Sequence, residues 1–227
     1  TWAEHAVVPR QALVPVPAGL DLRLAAPAGV VGSTAVRVTC DLGEVGPADR
    51  ALVLGAGGGT GVAISSLARS RGALVWGQVG DPAKVEAVRQ SGAEPILAGS
   101  AAQLHEQIAE LGITVAFDPL GGAYTAALVA ALVPRGRLIS YGVSAGEQVT
   151  LSMRTIYRNN LTVRGFGGVA EPAERLSASI RLALQHLAAG SMRIPVDRVL
   201  PLAAADRALA ALANREVAGK ALLDTRA

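Results

Sequence analysis

The run Gly55-Ala56-Gly57-Gly58-Gly59-Thr60-Gly61 constrains this chain more than any other stretch. It follows directly on the apolar segment Ala51-Leu52-Val53-Leu54, and from Val62 to Arg71 apolar residues recur at helical spacing. Strand, glycine turn and helix in that order leave backbone amides at a helix N-terminus, where the helix dipole favours an anion such as a pyrophosphate. The spacing Ala56-x-Gly58-x-x-Gly61 is a dinucleotide fingerprint with Ala in its first place. A glycine cluster standing alone is equally a flexible turn, so the reading depends on what surrounds it.

The surroundings repeat the same unit. Apolar runs at 74–78, 95–97, 114–117 and 137–141 read as strands, and the segments 82–91, 101–111 and 122–133 between them read as helices. Five strands alternating with helices imply a parallel sheet covered on both faces, because right-handed crossovers return each helix to the sheet. The expected fold is α/β, a doubly wound Rossmann sheet occupying 25–163. Within residues 1–24, His5-Ala-Val-Val8 and Leu13-Val-Pro-Val-Pro17 read as extended pieces, with prolines forbidding a helix there. After Gly165 the pattern gives a helix over 172–189, a strand at 196–200, a helix over 203–214 and a strand at 221–223. These ends hold no complete sheet of their own, so 1–24 and 164–227 are expected to be parts of a second domain.

Composition narrows the function classes. The 227 residues are 51% hydrophobic, yet no uncharged apolar run reaches the roughly 18 to 20 residues that span a bilayer. The net charge of +3 is carried by interspersed Arg and Asp/Glu without a dense basic block, which argues against nucleic acid. A single cysteine, Cys40, excludes an internal disulfide framework and suits a reducing, cytoplasmic setting. His5, His105 and His186 are widely separated and no CxxC occurs, so no metal site is expected. His105 and His186 fall on polar helix faces and are expected to face solvent. The chain opens on Thr1-Trp2-Ala3 with neither an initiator Met nor a signal-type segment, and is read as lacking residues upstream.

Cofactor preference is sought at the end of the second strand, in Gln78-Val79-Gly80-Asp81-Pro82-Ala83-Lys84. Gly80 leaves space for a 2′-phosphate and Lys84, in the first helical turn, offers its counter-charge. Asp81 argues the other way, by repulsion or as an ordinary helix cap. The balance favours NADPH, with NADH as the alternative; Lys84 is otherwise a solvated helix residue. Asp118, in an Asp-Pro pair, reads as a turn cap.

With these residues in place the chain resembles the zinc-free branch of the medium-chain dehydrogenase/reductase superfamily, especially quinone oxidoreductases and 2-enoyl thioester (trans-2-enoyl-CoA) reductases. The resemblance rests on 13–20, on 26–36, on Asp118-Pro-Leu-Gly-Gly122, on 136–142, on Asn160-Leu-Thr-Val-Arg-Gly-Phe166 and on Gly219-Lys220. It implies that Thr34 faces the cofactor, that Tyr141-Gly142 passes beside the nicotinamide, that Phe166 lies where cofactor and substrate meet, and that Lys220 touches the cofactor. The residues have structural alternatives: Tyr141 ends a strand, Phe166 is core, Lys220 pairs with Glu216. Val31-Gly32 stands where enoyl reductases often have Asn-Pro, and Val31 lies near the place of a ligand cysteine in zinc-dependent relatives. The expected cofactor-binding set is therefore Thr34, Gly58, Gly59, Thr60, Gly61, Gly80, Lys84, Tyr141, Gly142, Phe166 and Lys220.

The resemblance further implies that both chain ends belong to a GroES-like catalytic domain, and that NADPH delivers hydride to an activated double bond of an enoyl thioester or a quinone-type substrate. It implies a homodimer joined near Val149–Val163. No catalytic acid is nominated, because the family's tyrosine lies in a lobe with no counterpart here. Arg154, Arg158 and Arg164 read either as contacts to a phosphorylated carrier or as paired surface charges. The alternatives in function are a zinc-free alcohol dehydrogenase-like oxidoreductase and a noncatalytic nucleotide-binding or redox-sensing module lacking its N-terminal lobe.

Overall fold

The computed structural model describes residues 2–214 and 216–226. After a turn at Arg10–Ala12 come the short helices α1 (Leu22–Ala25) and α2 (Val31–Val36); α2 runs on without a break into a wider π-type turn, Arg37–Leu42. Then follow β1 (Arg50–Val53), α3 (Gly59–Ser70), β2 (Leu74–Val79), α4 (Val85–Gln90), β3 (Glu94–Leu97), α5 (Ala101–Ile108), β4 (Val115–Asp118), α6 (Gly122–Ala131) and β5 (Arg137–Ser140). The remainder is α7 (Met153–Arg158), β6 (Thr162–Gly165), α8 (Ala173–Ala188), β7 (Val196–Pro201), α9 (Ala205–Ala213) and β8 (Lys220–Asp224).

Six strands form one parallel sheet in the order β3-β2-β1-β4-β5-β6. Leu52 of β1 stands opposite Trp76 on one side and Ala116 on the other. Because helices cover both faces, alternate residues of the central strands feed two cores. On one face Val53, Phe117 and Ile139 meet Ile64 and Leu67 of α3, together with residues of α2 and α8. On the other, Leu52, Leu54 and Leu138 meet Leu104 and Ile108 of α5 and Leu128 of α6. Full burial of such side chains contributes about 1.5–3 kcal/mol each. It also explains why β1 and β4 read as unbroken apolar runs.

The sequence showed five strands of this sheet; the sixth, β6, escaped it. Its residues Thr-Val-Arg-Gly alternate between half-buried and exposed, since it is an edge strand with one side unpaired. The helix expected over 82–91 is shorter, because Pro82–Lys84 forms a tight turn in which Asp81 accepts the Ala83 N–H at 2.9 Å. Asp81 thus fills the capping role. His186 departs from its solvent-facing expectation: its Nδ1 lies 2.8 Å from Ser191 Oγ, and burial, with the Arg71 charge second, lowers its pKa. His105 is exposed.

Beyond the main sheet, β7 and β8 pair with each other in parallel, with α9 between them in sequence. Among the described residues no helix is long and apolar enough to cross a membrane. At the end of the sheet where the strands begin, Asp49 accepts the Thr114 hydroxyl at 2.6 Å and the Gly46 N–H at 2.8 Å, and pairs with Arg137. Thr114 in turn accepts the Arg50 N–H at 3.0 Å. One hydrogen-bonded cluster thereby fastens the starts of β1, β4 and β5.

Candidate functional site

At the opposite end, where the strands finish, the order reverses between β1 and β4, and connections leave in opposite directions to open a crevice. The glycine turn sits there. Gly55 has φ +60°, a left-handed conformation that glycine adopts without cost. Gly61 is required by space: a Cβ there would stand 2.4 Å from Gly55 O and 2.6 Å from Ala56 Cα, so α3 lies hard against the turn it leaves.

No side chain caps α3, and its first backbone bond runs from the Val62 N–H to Gly58 O. The amides of Gly59, Thr60 and Gly61 are left without a partner among the described residues. Such orphan donors at a helix start form a ready anion site.

Two cationic side chains flank them. A Cβ added to Gly57 would lie 2.7 Å from Lys84 Cβ, and one added to Gly59 would lie 3.0 Å from Lys220 Cδ. Neither lysine forms an ion pair among the described residues. The expected alternative partner of Lys220, Glu216, instead accepts from Asn214 Nδ2 at 3.2 Å. At Gly80 a Cβ would meet nothing nearer than Ala98 O and Gly99 Cα, both at 3.8 Å, so space remains there.

Gln78 was missed by sequence reasoning. Buried in β2, it accepts the Gly55 N–H at 3.2 Å and donates to Ala98 O at 2.6 Å, bracing the turn from below. Its only signal was an amide in an otherwise apolar strand.

Thr34 is the one residue of α2 that is not fully buried. The glycine before it has a packing reason: a Cβ at Gly32 would come within 2.9 Å of Ala183 Cβ on α8. Tyr141 follows β5, its N–H donating to Asp118 O at 2.9 Å. Its hydroxyl is buried without a partner among the described residues, and burial, reinforced by Asp118, pushes its pKa far above the ordinary tyrosine value, so it stays protonated. Gly142 is needed because a Cβ would lie 2.8 Å from Pro119 O. Phe166 is half-buried and rests on the α2/α3 core.

Asp118 is a cap. Fully buried, it accepts the N–H groups of Leu120 at 2.8 Å and Gly121 at 3.0 Å and the Thr125 hydroxyl at 2.5 Å. Arg164 donates to Leu42 O and to Glu44, which leaves it paired, while Arg154 and Arg158 are exposed. A cleft of about 710 Å³, lined by Pro27, Val30, Leu209, Leu212 and Leu222, reaches the glycine turn through Lys220.

Residues 59–185, more than half of the chain, match the family described as zinc-binding dehydrogenase. The chain belongs to the medium-chain dehydrogenase/reductase superfamily. This superfamily member is similar to a quinone oxidoreductase of Pseudomonas aeruginosa, 26% identical over 229 residues, covering 98% of this chain and 70% of that protein. It is similar to a mycocerosic acid synthase-like polyketide synthase of Mycobacterium tuberculosis, 27% identical over 234 residues, covering 98% of this chain and 11% of that protein. The mitochondrial enoyl-[acyl-carrier-protein] reductase of Rattus norvegicus is 27% identical over 174 residues, covering 73% and 47% respectively.

Among solved structures, an NAD-dependent alcohol dehydrogenase superposes with TM-score 0.86 at 28% identity, over 99% of this chain and 65% of its own. Mycobacterial Rv1454c complexed with NADPH superposes with TM-score 0.82 at 23% identity, over 92% and 66%, a likeness of fold. The chain thus spans only part of each of these proteins, from about a tenth to seven-tenths.

Proposed function

We propose that this chain is the dinucleotide-binding portion of an NADPH-dependent, zinc-free reductase that passes hydride to an activated double bond of an enoyl thioester or a quinone-type substrate. The observation that carries the reading is the uncapped start of α3, with three unpartnered amides flanked by Lys84 and Lys220. In this reading the pyrophosphate rests on the amides of 59–61, where the helix dipole and two ammonium groups oppose its charge. Lys84 and the space at Gly80 take the 2′-phosphate. Thr34, Tyr141, Gly142 and Phe166 form the nicotinamide end, where the protonated Tyr141 hydroxyl has a hydrogen bond to donate. Bound NADPH supplies the hydride; the chain orients it and excludes water.

The same reading divides the chain into a Rossmann domain at 25–163 and two pieces of a GroES-like catalytic domain at 1–24 and 164–227. A reducing, cytoplasmic setting accords with the one free thiol, Cys40.

Titration with NADPH and NADH, followed by nicotinamide fluorescence, tests the proposal. NADPH is expected to bind about 10-fold or more tightly than NADH, and Lys84→Ala to erase the difference by removing a charge-assisted bond to phosphate. A chain that binds neither dinucleotide overturns the reading.

A further inference from the structure

Between Gly165 and Ala170 the chain has little to rest on. A Cβ at Gly165 or at Gly167 would meet nothing within 4 Å, and Val169 is fully exposed. Only the Phe166 ring packs on the core. So few apolar contacts cannot fix a loop, and its position falls to whatever anchors flank it.

Both anchors reach the π-type turn that continues α2, one at its first residue and the other at its end and at Glu44 just past it. On the near side Arg164 Nη1 donates to Leu42 O at 2.9 Å and to Glu44 Oε1 at 3.0 Å. On the far side Glu171 accepts from Arg37 Nη2 at 3.3 Å. Arg37 also pairs with Asp41 and lies three residues beyond Thr34, where α2 widens into its π-type turn. The two ends of the Arg37–Glu171 pair differ from the Arg164 pair in burial: their side chains are 9% and 15% exposed, against 39% and 64%. The enclosed pair is little screened by solvent, so it dominates. Among the described residues Arg37 Nε is buried without a partner, and the guanidinium is held by the carboxylates of Asp41 and Glu171.

We propose that Arg37 is a positioning residue: through Glu171 it holds the Phe166 loop against the helix that carries Thr34, and so sets the width of the nicotinamide end. The proposal rests on the cofactor reading above. It predicts that the loop loosens when the pair is lost, even if folding is spared.

The test is a double variant, Arg37→Met with Glu171→Met, which removes both buried charges together and leaves without its partner only Asp41, whose side chain is 45% exposed. Melting within a few degrees of the wild type, amide exchange over 166–171 about 10-fold faster, and NADPH bound about 10-fold more weakly are expected. Arg37→Lys recovers part of both losses. If the double variant does not fold, Glu171→Gln alone is read in the same way. A wild type that binds NADPH while the variant matches it in affinity and loop exchange within about two-fold overturns the proposal and leaves the cofactor reading standing. A wild type that binds no NADPH overturns the cofactor reading itself.

Discussion

Gly61 shows how a single missing methyl decides both packing and chemistry. Adding it drives a carbon into Gly55 O and Ala56 Cα, backbone atoms that cannot step aside. Gly61→Ala is expected to cost about 1–3 kcal/mol in chemical denaturation, as an overpacked site does, and to abolish dinucleotide binding by tilting the start of α3. Asp118→Ala strands two amides and a hydroxyl inside the protein and is expected to lower stability by about 1–3 kcal/mol while leaving the glycine turn in place. Residues of these two kinds were legible in the sequence, because a glycine at a fingerprint position and an Asp before Pro act through the adjacent backbone. Gln78, Glu171 and the Tyr141 hydroxyl were not. Their partners lie 20 or more residues away in the chain, or, for the hydroxyl, are missing altogether, and nothing local announces either condition.

Among elements, the wound order of strands and helices was readable because buried parallel strands are apolar on both faces and so stand out as runs. β6 was not, since its open edge dilutes that signal, and the helical stretch 31–42 gave no sign of its wider turn. The cluster at the starts of β1, β4 and β5 was equally invisible, being built from three separate segments. Its consequence is a pH dependence. Burial alone would raise the Asp49 carboxyl, but hydrogen bonds from Thr114, Gly46 and Arg137, with the Arg137 charge, outweigh it and hold the group below its ordinary value of 3.8. A depressed carboxylate stabilises the fold above that ordinary value, and the contribution is lost as pH falls through the depressed one. Acid titration followed by circular dichroism is expected to show this loss below about pH 4. Asp49→Asn is expected to flatten that part of the curve and to lower stability at neutral pH; an unchanged acid limb assigns the cluster no part in it.

At the scale of the whole molecule, the sheet ends in a bare edge. β6 offers backbone groups unpaired among the described residues, with Val163 45% exposed and Val149, Met153 and Tyr157 exposed in the segment that leads into it. An edge of this kind invites a second copy, related by a two-fold axis, to extend the sheet. Sedimentation is expected to find a dimer, and Val163→Lys to return it to monomer; a wild type that sediments as a monomer rules the edge out as an interface.

The glycine turn carries a different consequence. Its first amides lie beside Lys84, but Gly59 also leans on Lys220, contributed from far along the chain. An emerging polypeptide therefore exposes the turn long before it can finish the site. At ordinary rates of synthesis the delay between residues 59 and 220 is on the order of 10–30 s. In the proposed reading, the nascent protein of that interval has the mould for a pyrophosphate but only half of its countercharge, and the second half arrives with β8.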